Sequence, residues 1–344
     1  MATSIFVRSP YIVSKTGVQS DVVKAELYLY NNPASVPTTP TYTLSKVIPS
    51  SIADTAYFDV SPYCREYISF QKFTSASVET AAGNSEYVNL RVILYVNEVQ
   101  ELTTDYVAFD GFGYYEQGYN PSLGDVSGTS DSHIFLDEAT YYVQETGNGG
   151  GIYYHNVSGS LAIAVYNNTD SISLNNGVNF VPYIHPNHIG VTNQVDIYEF
   201  GFPVRTYYFE PICEPKYSPI VCDFINQYGV WQQIIFFKAS QSNFEATGTE
   251  YHFMSENINY DIYENRRQVF NRNAIKSITC NTGFVPESYK DVMKAMLLSE
   301  KIMLNDEPVK LRTQSVLLQE HINEKLINYR VEFEYSHNQL NYVI

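Results

Sequence analysis

Through most of the chain, hydrophobic and polar residues alternate with a period of two, the repeat of a strand that buries one face. In Lys24–Tyr30, Ala25, Leu27 and Leu29 alternate with Lys24, Glu26, Tyr28 and Tyr30. Tyr87–Val96 places Val88, Leu90, Val92 and Leu94 on one side, and Leu161–Tyr166 and Arg205–Phe209 repeat the pattern. The cleanest alternation is Leu326–Tyr335, with Ile327, Tyr329, Val331, Phe333 and Tyr335 facing one way and Asn328, Arg330, Glu332 and Glu334 the other. Clusters rich in Pro, Asn, Thr and Gly, such as Asn32–Thr41, separate these runs and stop strands.

Helical signals are sparse. Ser61 is a capping residue, Pro62 suits the first helical position, and Tyr63–Ser69 follows. In Glu287–Ser299, Tyr289, Val292, Met293, Met296 and Leu297 are spaced i, i+3, i+4, i+7 and i+8, one face of an α-helix, with Lys294 and Lys301 favouring its C-terminal end. The pattern predicts a mainly β protein: an N-terminal antiparallel β-sandwich over residues 1–206, then a smaller α+β domain over 207–344, an antiparallel sheet with one helix. In the second domain Ser218–Phe237 gives two strands around Gly229, Ala274–Asn281 and Val309–Leu317 two more, and Asn305-Asp306-Glu307 a turn.

Some stretches fit no core. Asp110–Ser132 is long, aperiodic and rich in Gly and Tyr; loops of that length are usually functional. Its Tyr114, Tyr115 and Tyr119 are apolar surface that a solvated loop does not need, so they are expected at a subunit interface. Residues 239–273 read as an extended arm carrying Arg266 and Arg267, expected at the same kind of interface. Gly147–Gly151 reads as a flexible hairpin tip.

Composition changes the picture in two ways. The chain holds 31 Tyr and 19 Phe against 1 Trp, which suits pleated, half-buried surfaces and protein contacts. The net charge is −16, of which residues 1–206 carry −12 (8 Lys+Arg against 20 Asp+Glu) and residues 207–344 carry −4. So acidic a chain repels a phosphate backbone, which argues against nucleic-acid binding, although DNA can pass an acidic wall without adhering. No signal peptide and no apolar run long enough for a membrane span is evident. Cys64, Cys213, Cys222 and Cys280 form no CxxC pair and are expected as free, buried thiols.

The search for chemistry finds no nucleophile elbow, zinc-protease, phosphate-loop or dinucleotide signature. His185 and His188 have metal-like spacing, but Pro182 and Pro186 place them in an extended loop, and zinc needs a third ligand. Asp137 and Glu138 are adjacent, so on a strand they point to opposite faces. No catalytic residue, cofactor or metal is expected. A carbohydrate-binding β-sandwich is the alternative from composition, although such sites usually lean on tryptophan.

Two segments carry a resemblance. Lys216, Tyr217, Pro219, Phe224, Asn226, Tyr228, Gly229, Phe236, Phe237 and Lys238 make a Lys-Tyr-x-Pro strand, a Phe-x-Asn-x-Tyr-Gly turn and an aromatic strand ending Phe-Phe-Lys. Asn281-Thr282-Gly283-Phe284, Leu298-Ser299-Glu300-Lys301, Pro308-Val309 and Lys325–Tyr329 follow. Together they resemble virion proteins of tailed phages infecting Bacteroidota, the crAss-like phages included; Lys24–Tyr30 and Pro40–Ser45 are similar more loosely. The resemblance implies a non-enzymatic structural protein of the virion, made in the host bacterial cytoplasm. It implies a homo-oligomeric ring in the tail or neck (the tail barrel), stacked on the portal and neighbouring tail proteins, with DNA passing through its centre. The nearest rival is a fibre or adhesin subunit of the same particles, which would trimerise and carry repeats; none is seen.

Overall fold

The computed structural model describes residues 3–31, 35–49, 52–70, 79–80, 87–113, 133–135, 141–144, 150–156, 161–175, 177–183, 193–212, 216–252, 263, 266–287, 289–313 and 326–340. Of these, 64% are strand and 7% helix, so the chain is mainly β. It divides into two compact units, one of residues 1–213 and 224–234, the other of residues 214–223 and 235–344.

Up to residue 213 the strands are β1 (Thr3–Phe6), β2 (Ile12–Gly17), β3 (Val22–Tyr30), β4 (Tyr42–Val47), β5 (Asp54–Asp59), β6 (Glu79–Thr80), β7 (Tyr87–Val96), β8 (Val99–Phe109), β9 (His133–Phe135), β10 (Tyr141–Gln144), β11 (Gly151–Asn156), β12 (Ala162–Tyr166), β13 (Asp170–Leu174), β14 (Gly177–Pro182), β15 (Asn193–Glu199) and β16 (Phe202–Ile212), with helix α1 (Ser61–Tyr67) after β5. They form four sheets: β1-β8-β7-β3-β4, β2-β5, β6-β14-β11-β9 and β10-β16-β15-β12-β13. Most pairings are antiparallel, but β1 runs parallel to β8 and β10 parallel to β16. Strands distant in sequence therefore close the edges of two sheets, which local alternation does not reveal.

The cores follow from the alternation. Val23, Ala25, Leu27 and Leu29 of β3 meet Val88, Leu90, Val92 and Leu94 of β7 in one cluster with Ile5, Val60 and Cys64. A second cluster joins Ile152, Tyr154 and Val181 to Ala162, Ala164, Tyr166, Val195, Ile197, Tyr207 and Phe209, so it is drawn from two sheets. Burying each such side chain contributes about 1.5–3 kcal/mol. Tyrosine is thus core material here. Tyr154 and Tyr166 are fully buried, and their hydroxyls find partners: Tyr154 donates to Glu199, and Tyr166 to the Pro182 carbonyl at 2.9 Å. Gly150 and Gly151, expected in a flexible tip, are buried, and Gly151 opens β11; Gly147 lies outside the described residues.

In α1 the cap is not the one expected. Val60 occupies the N-cap without a side-chain bond and Ser61 is already helical. The Ser61 backbone N–H donates to Asp59 Oδ1 at 3.0 Å, and its hydroxyl accepts the Tyr11 N–H at 2.6 Å and donates to the Ser9 carbonyl at 2.9 Å. Ser61 therefore ties the segment before β2 to the helix.

The remaining strands are β17 (Ile220–Ile225), β18 (Trp231–Phe236), β19 (Gln241–His252), β20 (Arg267–Pro286), β21 (Ile302–Leu304), β22 (Glu307–Leu311) and β23 (Leu326–Tyr335), with helix α2 (Tyr289–Leu297) after β20. They form one sheet in the order β18-β17-β21-β22-β23-β20-β19. The β23 alternation holds, with Ile327, Tyr329, Val331 and Phe333 buried. α2 buries Tyr289, Val292, Met293, Ala295 and Met296, and Met296 Sδ lies 3.9 Å from Cys222 Sγ of β17. Cys64, Cys222 and Cys280 are free and buried; burial pushes the Cys64 and Cys280 thiols up to about 12. Cys213 lies outside the described residues.

Candidate inter-subunit surface

The arm expected at 239–273 contains most of an antiparallel strand pair. β19 pairs with β20 from Gln241 opposite Thr279 to His252 opposite Arg267, with a register shift between Thr247 and Thr249. The shift has a local cause. Gly248 faces the irregular Asn271–Arg272 step, where Asn271 takes a φ of +52°, conformations that bulges favour. β20 is shared. Its residues Ser277–Pro286 also pair with β23, and the Gln339 N–H reaches the Ala274 carbonyl at 2.8 Å. Beyond the last β23 pair, at Ser277, β19 and β20 run on toward Arg267 as a two-stranded ribbon, and among the described residues no strand pairs with the outer edge of β19.

All twelve residues of β19 are exposed. So are Arg267, Val269, Phe270, Asn271 and Arg272 on β20. The ribbon shows water large apolar groups: Phe244 at 59% exposure, Phe270 at 50%, Val269 at 45% and Tyr251 at 40%. Tyr251 and Phe270 meet edge to face, with ring centroids 5.6 Å apart, and Tyr251 bonds Gln268 across the ladder. On the opposite face Arg267 Nε pairs with Glu250 Oε2 at 3.2 Å, with both side chains more than half exposed; such a pair contributes little to stability. Nearer the sheet, Glu245 accepts from Arg312 at 3.2 Å and Gln241 from Arg330 at 3.4 Å, fixing where the ribbon begins.

Of the residues expected at an interface, Arg267 lies at the start of β20 and half-buried Arg266 just before it. Tyr114, Tyr115 and Tyr119 lie outside the described residues, as do His185, His188, Asp137 and Glu138. Phe244, Tyr251, Val269, Phe270 and Arg272, exposed on the ribbon, are not singled out by the sequence pattern. A ribbon wet on both faces has no buried side to impose alternation, so periodicity carried no signal there.

The Phe-x-Asn-x-Tyr-Gly segment is a second built feature, the tip between β17 and β18. Asn226 Oδ1 accepts the Tyr228 N–H at 2.9 Å, and the Gly229 N–H donates to the Asn226 carbonyl at 3.0 Å. Gly229 has a φ of +80°, and a Cβ there would lie 2.6 Å from the Asp110 backbone. The Phe112 N–H reaches the Gln227 carbonyl at 2.7 Å, Phe6 packs on Tyr228, and Arg65 Nε holds Asp110 at 2.6 Å. These residue types at this spacing are thus needed to seat the tip on the end of β8.

Other polar groupings are engaged internally. Ser4 Oγ and His155 Nδ1 share a hydrogen bond of 3.0 Å, and both are buried, at 7% and 6% exposure. Burial pushes the His155 pKa down to about 4, and its ring stands edge-on to Phe109. On the outer side of β3 and β7, Tyr28 donates to Glu26 at 2.8 Å, Arg91 grips Asp105 through two bonds of 2.6 and 2.9 Å, and Lys24 lies 4.5 Å from the Tyr95 ring centroid. Tyr28 is raised to about 12 by burial and by Glu26. Among the described residues no group of three or more His, Cys, Asp or Glu is placed to hold a metal, and no helix is long and apolar enough to cross a membrane. The sequence matches no protein-family model and no curated protein.

Proposed function

We propose that this chain is a structural virion protein, a subunit of a homo-oligomeric ring in the tail or neck of a crAss-like tailed phage, through which DNA passes. The observation that carries the reading is the Phe-x-Asn-x-Tyr-Gly tip. Asn226, Tyr228 and Gly229, three of the residues that carry the resemblance to virion proteins, build one seated turn, with Gly229 against Asp110 and Asn226 holding the turn. The same reading takes residues 1–206 as a β-sandwich domain and 207–344 as a smaller α+β domain. A ring needs head-to-tail contacts that close on themselves, and the exposed aromatic groups of the β19–β20 ribbon supply material for them. Partners are other copies of the chain, the portal and neighbouring tail proteins; the −12 charge of residues 1–206 keeps DNA moving if that half lines the channel. No catalytic role is assigned.

The test is negative-stain imaging of the purified chain mixed with the cognate portal. Ring-shaped layers added to portal particles support the reading. Portal particles unchanged, with the chain free in the background, contradict it. Threefold rods in the images transfer the assignment to a fibre. Retention on immobilised glycans that free sugar competes away transfers it to sugar binding.

A further inference from the structure

A two-stranded ribbon is marginal in water by itself, because neither face excludes solvent and one ladder alone holds the strands. This ribbon nevertheless displays Phe244, Tyr251, Val269 and Phe270 at 40–59% exposure. Natural proteins usually blunt such edges with charge or proline. Here charge is present, and it has one sign on β20. From Arg266 to Lys276 the sequence holds Arg266, Arg267, Arg272 and Lys276 and no acidic residue, within a chain of net charge −16. The basic strand therefore stands out against an acidic molecule.

The complementary surface is carried by the same chain. Residues 1–206 have a net charge of −12. Within them the turn joining β7 and β8 exposes two apolar side chains beside two carboxylates: Val99 at 61% and Leu102 at 48%, with side-chain exposures of 76% for Glu98 and 41% for Glu101. The register pairs Leu102 with Leu94 and Val99 with Val96, so both project on the same face of the sheet. Glu98 and Glu101 each hold a lysine, Lys24 and Lys15, and still face solvent. Phe244 and Val269, exposed on the same ribbon face as Arg272 and Lys276, thus match exposed aliphatics beside carboxylates on another element.

We infer that the β19–β20 ribbon of one copy docks on the β7–β8 turn of a second copy, a heterologous contact that joins copies head to tail. The inference rests on the ring reading and names the surfaces that build the ring. Phe244 and Val269 supply the apolar area, on the ribbon face that also carries Arg272 and Lys276, which supply the long-range attraction, and Val99 and Leu102 receive them. A heterologous contact leaves one ribbon and one turn free at the ends of any open oligomer, so association continues until the ring closes.

The test uses the chain in three forms: unaltered, Phe244→Ser/Val269→Ser, and Val99→Ser/Leu102→Ser. All four positions are exposed, so both variants are expected to keep the native circular dichroism and melting profile. Sedimentation velocity is run on each form and on an equimolar mixture of the two variants. The unaltered chain is expected to form assemblies larger than dimers that weaken as salt rises from about 50 to about 500 mM. Each variant alone is expected to lose roughly ten-fold or more in association constant. The mixture is expected to stop at a dimer, because only one intact ribbon and one intact turn can meet. If the unaltered chain assembles and both variants assemble equally well, the docking inference falls while the ring reading stands. A mixture that stays monomeric shows that these two surfaces are not partners. An unaltered chain that stays monomeric at every concentration, both alone and with the cognate portal, removes the ring reading and the inference with it. Binding of a labelled DNA duplex that is abolished by Arg272→Glu/Lys276→Glu assigns the ribbon to nucleic acid and overturns the second copy as its occupant.

Discussion

At Gly229, backbone geometry and packing coincide. The residue has a φ of +80° and no room for a Cβ against the Asp110 backbone, so Gly229→Ala combines left-handed strain with overpacking. It is expected to cost roughly 3 kcal/mol or more, read as a lower denaturant midpoint in chemical unfolding. His155 makes a second prediction with a definite sign. Burial holds its folded pKa near 4, below the ordinary 6.5, so between those values the unfolded chain binds a proton that the folded chain does not. Stability therefore falls as pH drops from about 6.5 to about 4, by up to roughly 3 kcal/mol, and this contribution flattens below that window. Unfolding midpoints across that range, compared with His155→Gln, check it; an unchanged pH dependence in the variant excludes His155 as the source. Tyr329 is buried, and among the described residues its hydroxyl has no partner. Tyr329→Phe is thus expected to be neutral or stabilising, since it removes a desolvated oxygen without breaking a bond. At this scale the sequence is legible where a residue type is rare for physical reasons, as with Gly229 in a turn. It is silent about partners remote in the chain, such as Asp110 for Gly229 and Ser4 for His155.

Among elements, the tight turns explain how long antiparallel ladders arise from a sequence with few glycines at hairpin tips. Asn97-Glu98, Asn167-Asn168 and Asn305-Asp306 all take paired positive φ values, the geometry that matches strand twist. Asn tolerates that region and β-branched residues do not. Asn168→Val is therefore expected to lower stability by about 1–2 kcal/mol in the same unfolding assay. Strands with one buried face, such as β3, β7 and β23, were readable from alternation, and α2 from its i, i+3, i+4 spacing. β19 was not, because both of its faces are wet and nothing selects an alternating pattern. The parallel pairings of β1 with β8 and β10 with β16 were also hidden, since each depends on strands that no hairpin connects.

For the whole molecule, the uneven charge and the exposed ribbon bear on assembly. The −12 on residues 1–206 opposes tight packing of like surfaces, whereas a contact between that half and the basic stretch of β20 removes the conflict. A heterologous contact of this kind closes into a ring or continues as a filament, and the closed form leaves no free ribbon. The exposed apolar residues of the ribbon could not be read from the sequence by periodicity; the resemblance implies a ring, and the ribbon is the surface proposed for its contacts. Native mass spectrometry of the purified chain tests that claim most directly. A closed ring gives a single dominant mass at a fixed multiple of the 39.2 kDa subunit, without a ladder of intermediate oligomers. A clean trimer, or a monomer that persists when portal is added, contradicts the account.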